Sequence, residues 1–176
     1  MMNVAARGTT LMNDLPRVKS VTAGPNFTLA IQWQDGSRSK ADLTGLIHSS
    51  QHFSKFIEEP VAFRKVKPVA WGDGVEWENG LDYSANTLKE LADEQTPMKG
   101  KELSQFVTAK KLNNQEFAEL LGCTVKTVRS YYASKEVPQW VAVTVRCFQR
   151  DDTIFAAHFR PVQVKPRGRP RSMAKH

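Results

Sequence analysis

Leu112-Asn113-Asn114-Gln115-Glu116-Phe117-Ala118-Glu119-Leu120-Leu121-Gly122-Cys123-Thr124-Val125-Lys126-Thr127-Val128-Arg129-Ser130-Tyr131-Tyr132 decides the fold of the second half of the chain. Asn113 is a capping residue, and Glu116 three positions on can reach back to the cap N–H. The spacing predicts a helix over residues 114–121. Gly122 supplies the left-handed residue of a sharp turn. Thr124 caps a second helix over residues 125–132. Ala118, Gly122 and Val128 are spaced so that a small residue, a turn and a buried face meet. Phe117, Leu121, Cys123 and Tyr131 fill the apolar positions around them. Val125, Lys126, Arg129 and Ser130 are left on the outer face, where a recognition helix enters the major groove.

Outward from this stretch, the period of 3.6 continues. Leu103, Phe106, Val107 and Lys110 predict a helix over residues 102–111, and Pro138 opens another over 139–149. An ordinary helical bundle with a tight turn shares this pattern, so charge enters the argument. Residues 1–97 hold ten Lys and Arg against twelve Asp and Glu, a net of −2. Residues 98–176 hold fifteen against six, a net of +9. A basic half of that strength suggests a polyanion partner, most simply double-stranded DNA.

The same stretch resembles the phage-repressor-like helix-turn-helix family, over about residues 100–148. Residues 112–122 lie close to that family's opening pattern, and Lys135 and Pro138 match its segment after the recognition helix. The chain departs from the pattern at Asn114, Tyr132 and Ser134. By position, the resemblance implies phosphate contact at Asn114, with Gln115 beside it. It implies base contacts from Val125, Lys126, Arg129 and Ser130. Thr124 and Thr127 would flank on phosphates, with Lys135 following. Cys123 is read as a core thiol.

The first half alternates at period 2. Phe27, Leu29, Ile31 and Trp33 predict one strand face, residues 17–21 a strand before it, and Asp35-Gly36 a hairpin into residues 37–41. Residues 44–59 carry His48, Phe53, Phe56 and Ile57 at helical spacing, for one or two short turns. Residues 61–66 are read as a strand continued by 69–71, with 74–77 as its return and Asn79-Gly80 closing it. A helix is predicted over 84–92. Pro16-Arg17-Val18, Trp33-Gln34-Asp35-Gly36, Asp42-Leu43 and Trp77-Glu78-Asn79-Gly80 resemble the bacterial Domain-of-Unknown-Function 2442 family, over about residues 14–95. That resemblance implies an α+β domain, and family members are often near toxin–antitoxin-like genes or fused to a DNA-binding module.

The end of the chain, Lys165-Pro166-Arg167-Gly168-Arg169-Pro170-Arg171, resembles an AT-hook. Two prolines hold it extended, and Gly168 lets the backbone approach the groove floor. Arg167 and Arg169 would lie in a narrow A·T-rich minor groove, with Lys165 and Arg171 on phosphates.

The expected organisation is therefore a disordered leader over 1–13 and an α+β domain with an antiparallel sheet and short helices over 14–96. An all-α helix-turn-helix domain of phage-repressor type follows over 97–160, then a basic disordered tail over 161–176. No apolar run approaches the roughly 20 residues of a membrane span, and no secretory signal is visible. A cytoplasmic, nucleoid-associated protein is expected. His48 and His52, at i and i+4, lack further ligands nearby, so no metal or other cofactor is expected. Glu58-Glu59 and Asp151-Asp152 read as loop charges, and Trp33, Trp71, Trp77 and Trp140 as core. No catalytic constellation is found, so the expectation is a binding protein and not an enzyme. Two classes remain. One is a homodimeric transcription regulator whose first domain senses a ligand, dimerises or binds a partner. The other is an antitoxin whose first domain neutralises a toxin-like protein.

Overall fold

The computed structural model describes residues 15–162. The leader and the AT-hook-like segment lie outside the described residues. The chain divides into two compact units between Thr96 and Pro97.

The first unit starts from an antiparallel meander, β1 (Val18–Ala23), β2 (Thr28–Trp33) and β3 (Arg38–Asp42), with β2 central. Val21 stands opposite Ile31, and Ala30 opposite Lys40. Leu29, Ile31 and Trp33 are buried while Ala30 is exposed, the alternation a half-buried strand requires. At the Asp35-Gly36 turn the Asp35 carboxylate accepts from the Ser37 N–H at 2.8 Å. Phe27 precedes β2 at φ 56, so it enters the core from a turn. Its ring meets Phe63 edge to face at 5.3 Å.

Three short helices follow, α1 (Thr44–Ser49), α2 (Lys55–Glu58) and α3 (Pro60–Phe63). A second antiparallel sheet comprises β4 (Lys67–Pro68), β5 (Gly74–Glu76) and β6 (Asp82–Ser84), in that order. α4 (Ala85–Gln95) closes the unit, capped by the Ser84 hydroxyl, which accepts from Thr87 N–H at 3.2 Å.

Residues 61–66 are not a strand. Pro60 occupies the first helical turn, where its fixed φ and missing N–H do no harm. The helix it starts carries Phe63 into contact with Phe56 and Trp77, at ring-centroid distances of 5.4 and 5.6 Å. Trp77 Nε1 donates to the Phe63 carbonyl at 2.9 Å. The pairing strand is only Lys67–Pro68, and Ala70–Gly72 is a 3₁₀ turn. In that turn Trp71 lies at φ 65 and is 84% exposed, so it is not core. Its carbonyl accepts from the Arg17 guanidinium, which also pairs with Asp73.

The second unit is helical throughout: α5 (Gly100–Ala109), α6 (Asn114–Leu121), α7 (Val125–Tyr132), α8 (Gln139–Arg150) and α9 (Asp152–His158). Its core joins Leu103, Phe106 and Val107 of α5 to Phe117, Ala118 and Leu121 of α6, Val128 of α7, and Val141, Ala142, Val145 and Phe148 of α8. α5 stops two residues short of the predicted end, because Lys111 takes φ 55. Asp151 and Asp152 are not idle loop charges. The Asp151 carboxylate caps α9, accepting from Thr153 N–H at 2.7 Å, and Asp152 pairs with Lys110 at 2.5 Å. Lys110 also sits over the Phe155 ring, 4.8 Å from its centroid. No helix among the described residues is long and apolar enough to cross a membrane.

Candidate nucleic-acid interface

The α6–α7 pair is built by local chemistry. The Asn113 side-chain oxygen accepts from the N–H groups of Gln115 and Glu116, each at 2.9 Å. Glu116 Oε2 accepts in return from Asn113 N–H at 2.9 Å. Those bonds satisfy donors that the first turn leaves without an intrahelical partner. At the far end Gly122 takes φ 65 and ψ 33, and Cys123 N–H reaches back to the Ala118 carbonyl at 2.9 Å. The chain then reverses within two residues. The Thr124 hydroxyl accepts from Thr127 N–H at 3.1 Å and starts α7. Ala118 and Val128 are 1% and 0% exposed, so the small side chain lets the two helices close on each other.

This packing leaves one face of α7 outside. Lys126, Arg129 and Ser130 are exposed and share that face at spacings of three and four residues. Neither Lys126 nor Arg129 has an ion-pair partner among the described residues. Ser130 Oγ donates to the Thr127 carbonyl at 2.7 Å. Lys135 is exposed beyond the helix.

The other predicted contact residues of this pair also have local structural partners. Val125 packs partly against the core, because it shares a helical stripe with buried Val128 and half-buried Tyr132. The hydroxyls of Thr124 and Thr127 hydrogen-bond each other at 2.9 Å, so both serve the helix start. Gln115 is exposed, with its Nε2 donating to Glu119 Oε1 at 3.0 Å.

Asn114 and Tyr132 are the feature that sequence reading missed. The Tyr132 hydroxyl donates to Asn114 Oδ1 at 3.1 Å, tying the start of α6 to the end of α7. Both residues depart from the helix-turn-helix pattern, and the departures are partners. That coincidence was the available signal. Burial pushes the Tyr132 phenol up, which keeps the proton it donates. Burial likewise pushes the Cys123 thiol up, which keeps it from acting as a thiolate nucleophile.

A second unforeseen device holds α5 against α7. Gly100 N–H donates to the Ser134 carbonyl at 3.2 Å, and Val137 N–H to the Met98 carbonyl at 2.9 Å. A Cβ on Gly100 would lie 2.3 Å from the Tyr132 carbonyl oxygen and 2.4 Å from that of Tyr131. Past α9 the chain returns to α6, where Val162 N–H lies 3.4 Å from Glu116 Oε1. Lys165, Arg167, Gly168, Arg169 and Arg171 follow from that point, outside the described residues.

His48 lies in the last turn of α1 and His52 beyond its end, both exposed, so the pair does not share a helical face. Among the described residues no group of three or more His, Cys, Asp or Glu is placed to hold a metal ion. Trp140, predicted as core, is 48% exposed on α8, because its neighbours Val141 and Ala142 take the inward positions.

The family model of the protein of unknown function DUF2442 matches residues 18–94, which span the first unit. No curated protein matches the chain. A crystal structure of a protein from Nitrosomonas europaea, provisionally named DNA-binding, is 20% identical. The alignment covers 86% of this chain and 96% of that one, with a TM-score of 0.43, too slight a likeness to carry fold or function across.

Proposed function

We propose that the protein is a sequence-specific DNA-binding regulator and not an enzyme, with α6 and α7 forming a helix-turn-helix of phage-repressor type. One observation carries this reading: the outward face of α7 presents Lys126, Arg129 and Ser130 to solvent, with no acidic partner for either cation among the described residues. The face is braced from behind by the Gly122 turn and the Tyr132–Asn114 bond. An eight-residue helix is about 12 Å long, and the major groove is about 12 Å wide. Arg129 and Lys126 suit guanine O6 and N7, and Ser130 accepts or donates. Asn114, tied through its oxygen, keeps its amide N–H groups for a phosphate. Lys135 supplies a further phosphate contact.

The tail extends the same reading. The net +9 of residues 98–176 includes Lys165, Arg167, Arg169 and Arg171. Val162, the last described residue, has its N–H beside Glu116 in the first turn of α6. The first unit would carry the sensing, dimerising or partner-binding role.

The test is a binding titration on a selected duplex. Arg129→Ala and Lys126→Ala are each expected to weaken specific binding by roughly 1–3 kcal/mol, about 5- to 150-fold, with unchanged thermal stability. Equal affinity for the wild type and the double variant would overturn the assignment. In the tail, Arg167→Ala with Arg169→Ala should weaken binding more on A·T-rich than on G·C-rich duplexes. An equal loss on both would mean that the tail acts by charge alone.

A further inference from the structure

Tyr132 is held at both of its ends. A Cβ on Gly100 would lie 2.3 Å from the Tyr132 carbonyl oxygen, so α5 pins the last turn of α7. The Tyr132 hydroxyl donates to Asn114 Oδ1 at 3.1 Å, the one side-chain hydrogen bond between α6 and α7 among the described residues. The ring between these two points is half-buried and has only two torsions to fix. Asn114 is half-buried too, at the first position of α6. An asparagine amide has an acceptor end and a donor end of the same shape, so a free one turns either way. Tyr132 engages the acceptor end. The donor end, Nδ2, has no partner among the described residues. A phosphate oxygen accepts and cannot donate, so only that end suits it.

We propose that Tyr132 is a positioning residue for the DNA backbone: its hydroxyl holds the Asn114 amide with Nδ2 outward, and so sets the strength of one phosphate contact without taking part in the reading of bases. Tyr132 itself touches no nucleotide and acts through Asn114. The inference rests on the DNA-binding reading and adds to it a residue and a division of labour.

The division follows from what holds α7. Its orientation is set by Val128 against Ala118, by the Gly122 turn and by the Thr124 cap, none of which involves the hydroxyl. Lys126, Arg129 and Ser130 are exposed on the outer face and bond to neither Tyr132 nor Asn114. Removing the hydroxyl therefore leaves the base-reading face in place and frees only the Asn114 amide.

The test is a duplex titration of the full chain. Tyr132→Phe removes the hydroxyl and keeps the half-buried ring, so the fold is retained. It is expected to weaken binding about 2- to 10-fold, the range of one hydrogen bond, on a selected and an unrelated duplex alike. The ratio of the two affinities stays that of the wild type. Asn114→Ala is expected to lose at least as much, and adding Tyr132→Phe to it should cost nothing more, because the hydroxyl then has nothing to hold. A scan of duplexes with single neutral methylphosphonates finds the contact directly. The position beside Asn114, where the wild type loses affinity, should be silent in both single variants. Additive losses in the double variant, a fall in the affinity ratio, or a methylphosphonate effect that survives Tyr132→Phe would each overturn the proposal. A Tyr132→Phe protein that binds as tightly as a DNA-binding wild type overturns the proposal alone. A wild type that binds no duplex overturns the DNA-binding reading, and the proposal with it.

Discussion

Gly100 and Gly122 are glycines for different reasons. Gly122 needs its backbone: φ is 65, and a Cβ there would meet nothing within 4 Å. Gly100 needs its lack of volume, because backbone oxygens of α7 occupy the place of a Cβ. Gly122→Ala therefore brings only the strain of a left-handed L-residue, about 1–2 kcal/mol. Gly100→Ala must push α5 off the end of α7 and break the Gly100–Ser134 and Met98–Val137 bonds. Its cost should exceed that of Gly122→Ala and reach at least the upper end of the roughly 1–3 kcal/mol of overpacking. Urea unfolding of the two variants checks the order, and a Gly100→Ala protein as stable as Gly122→Ala would refute the close approach. Gly122 was legible because a turn between two capped helices needs such a residue. Gly100 was not, since its neighbours Tyr131 and Tyr132 are more than thirty residues away.

At the scale of elements, side-chain caps decide where helices begin. Asn113 and Thr124 cap α6 and α7, as short sequence patterns predict, and Ser84, read as the first helical residue, instead caps α4 from just outside it. α9 was missed because Asp151 directly follows α8 and so resembles a charged loop. Its cap has a pH signature. N–H donation from Thr153 and Ile154 holds the Asp151 carboxyl below its ordinary 3.8. The carboxylate therefore favours the folded helix above that value, and the contribution disappears as pH falls through the lowered one. Asp35 and Asp42, bonded to Ser37 and Thr44, shift in the same direction. Acidification below about pH 4 should release α9 first near its start. The amide resonances of Thr153 and Ile154 report it, and Asp151→Ala should abolish their acid transition. An unchanged transition in that variant would place its origin elsewhere.

For the whole molecule, the two hydrophobic cores share no residue. One runs from Val18 to Ala92 and the other from Met98 to Phe148. A fragment of residues 97–176 is accordingly expected to fold as a helical unit and to keep DNA affinity. Circular dichroism with a cooperative thermal transition, followed by a duplex titration, tests both parts. An unfolded fragment would mean that the helical unit needs residues before Pro97. A folded fragment that ignores DNA would instead count against the role of α7. The charge contrast, −2 before residue 98 and +9 after, predicts a steep fall of affinity with salt for the second unit alone.

Sequence by itself determined the features whose causes lie within a few residues. These are the capping box at Asn113 and Glu116, the Gly122 turn, the Thr124 cap, the Asp35-Gly36 hairpin and the alternation of β2. It also determined the order of an antiparallel α+β region followed by helices, because hydrophobic period is a local property. Tertiary structure decided what depends on distant partners. Residues 60–63 became a helix because Phe63 is needed beside Phe56 and Trp77. Trp71 and Trp140 went outward because the inward positions were already filled. Val125 turned partly inward with Val128, and Asn114 found Tyr132 eighteen positions away. Burial is assigned by packing across the fold, and no window of sequence contains both sides of such a contact.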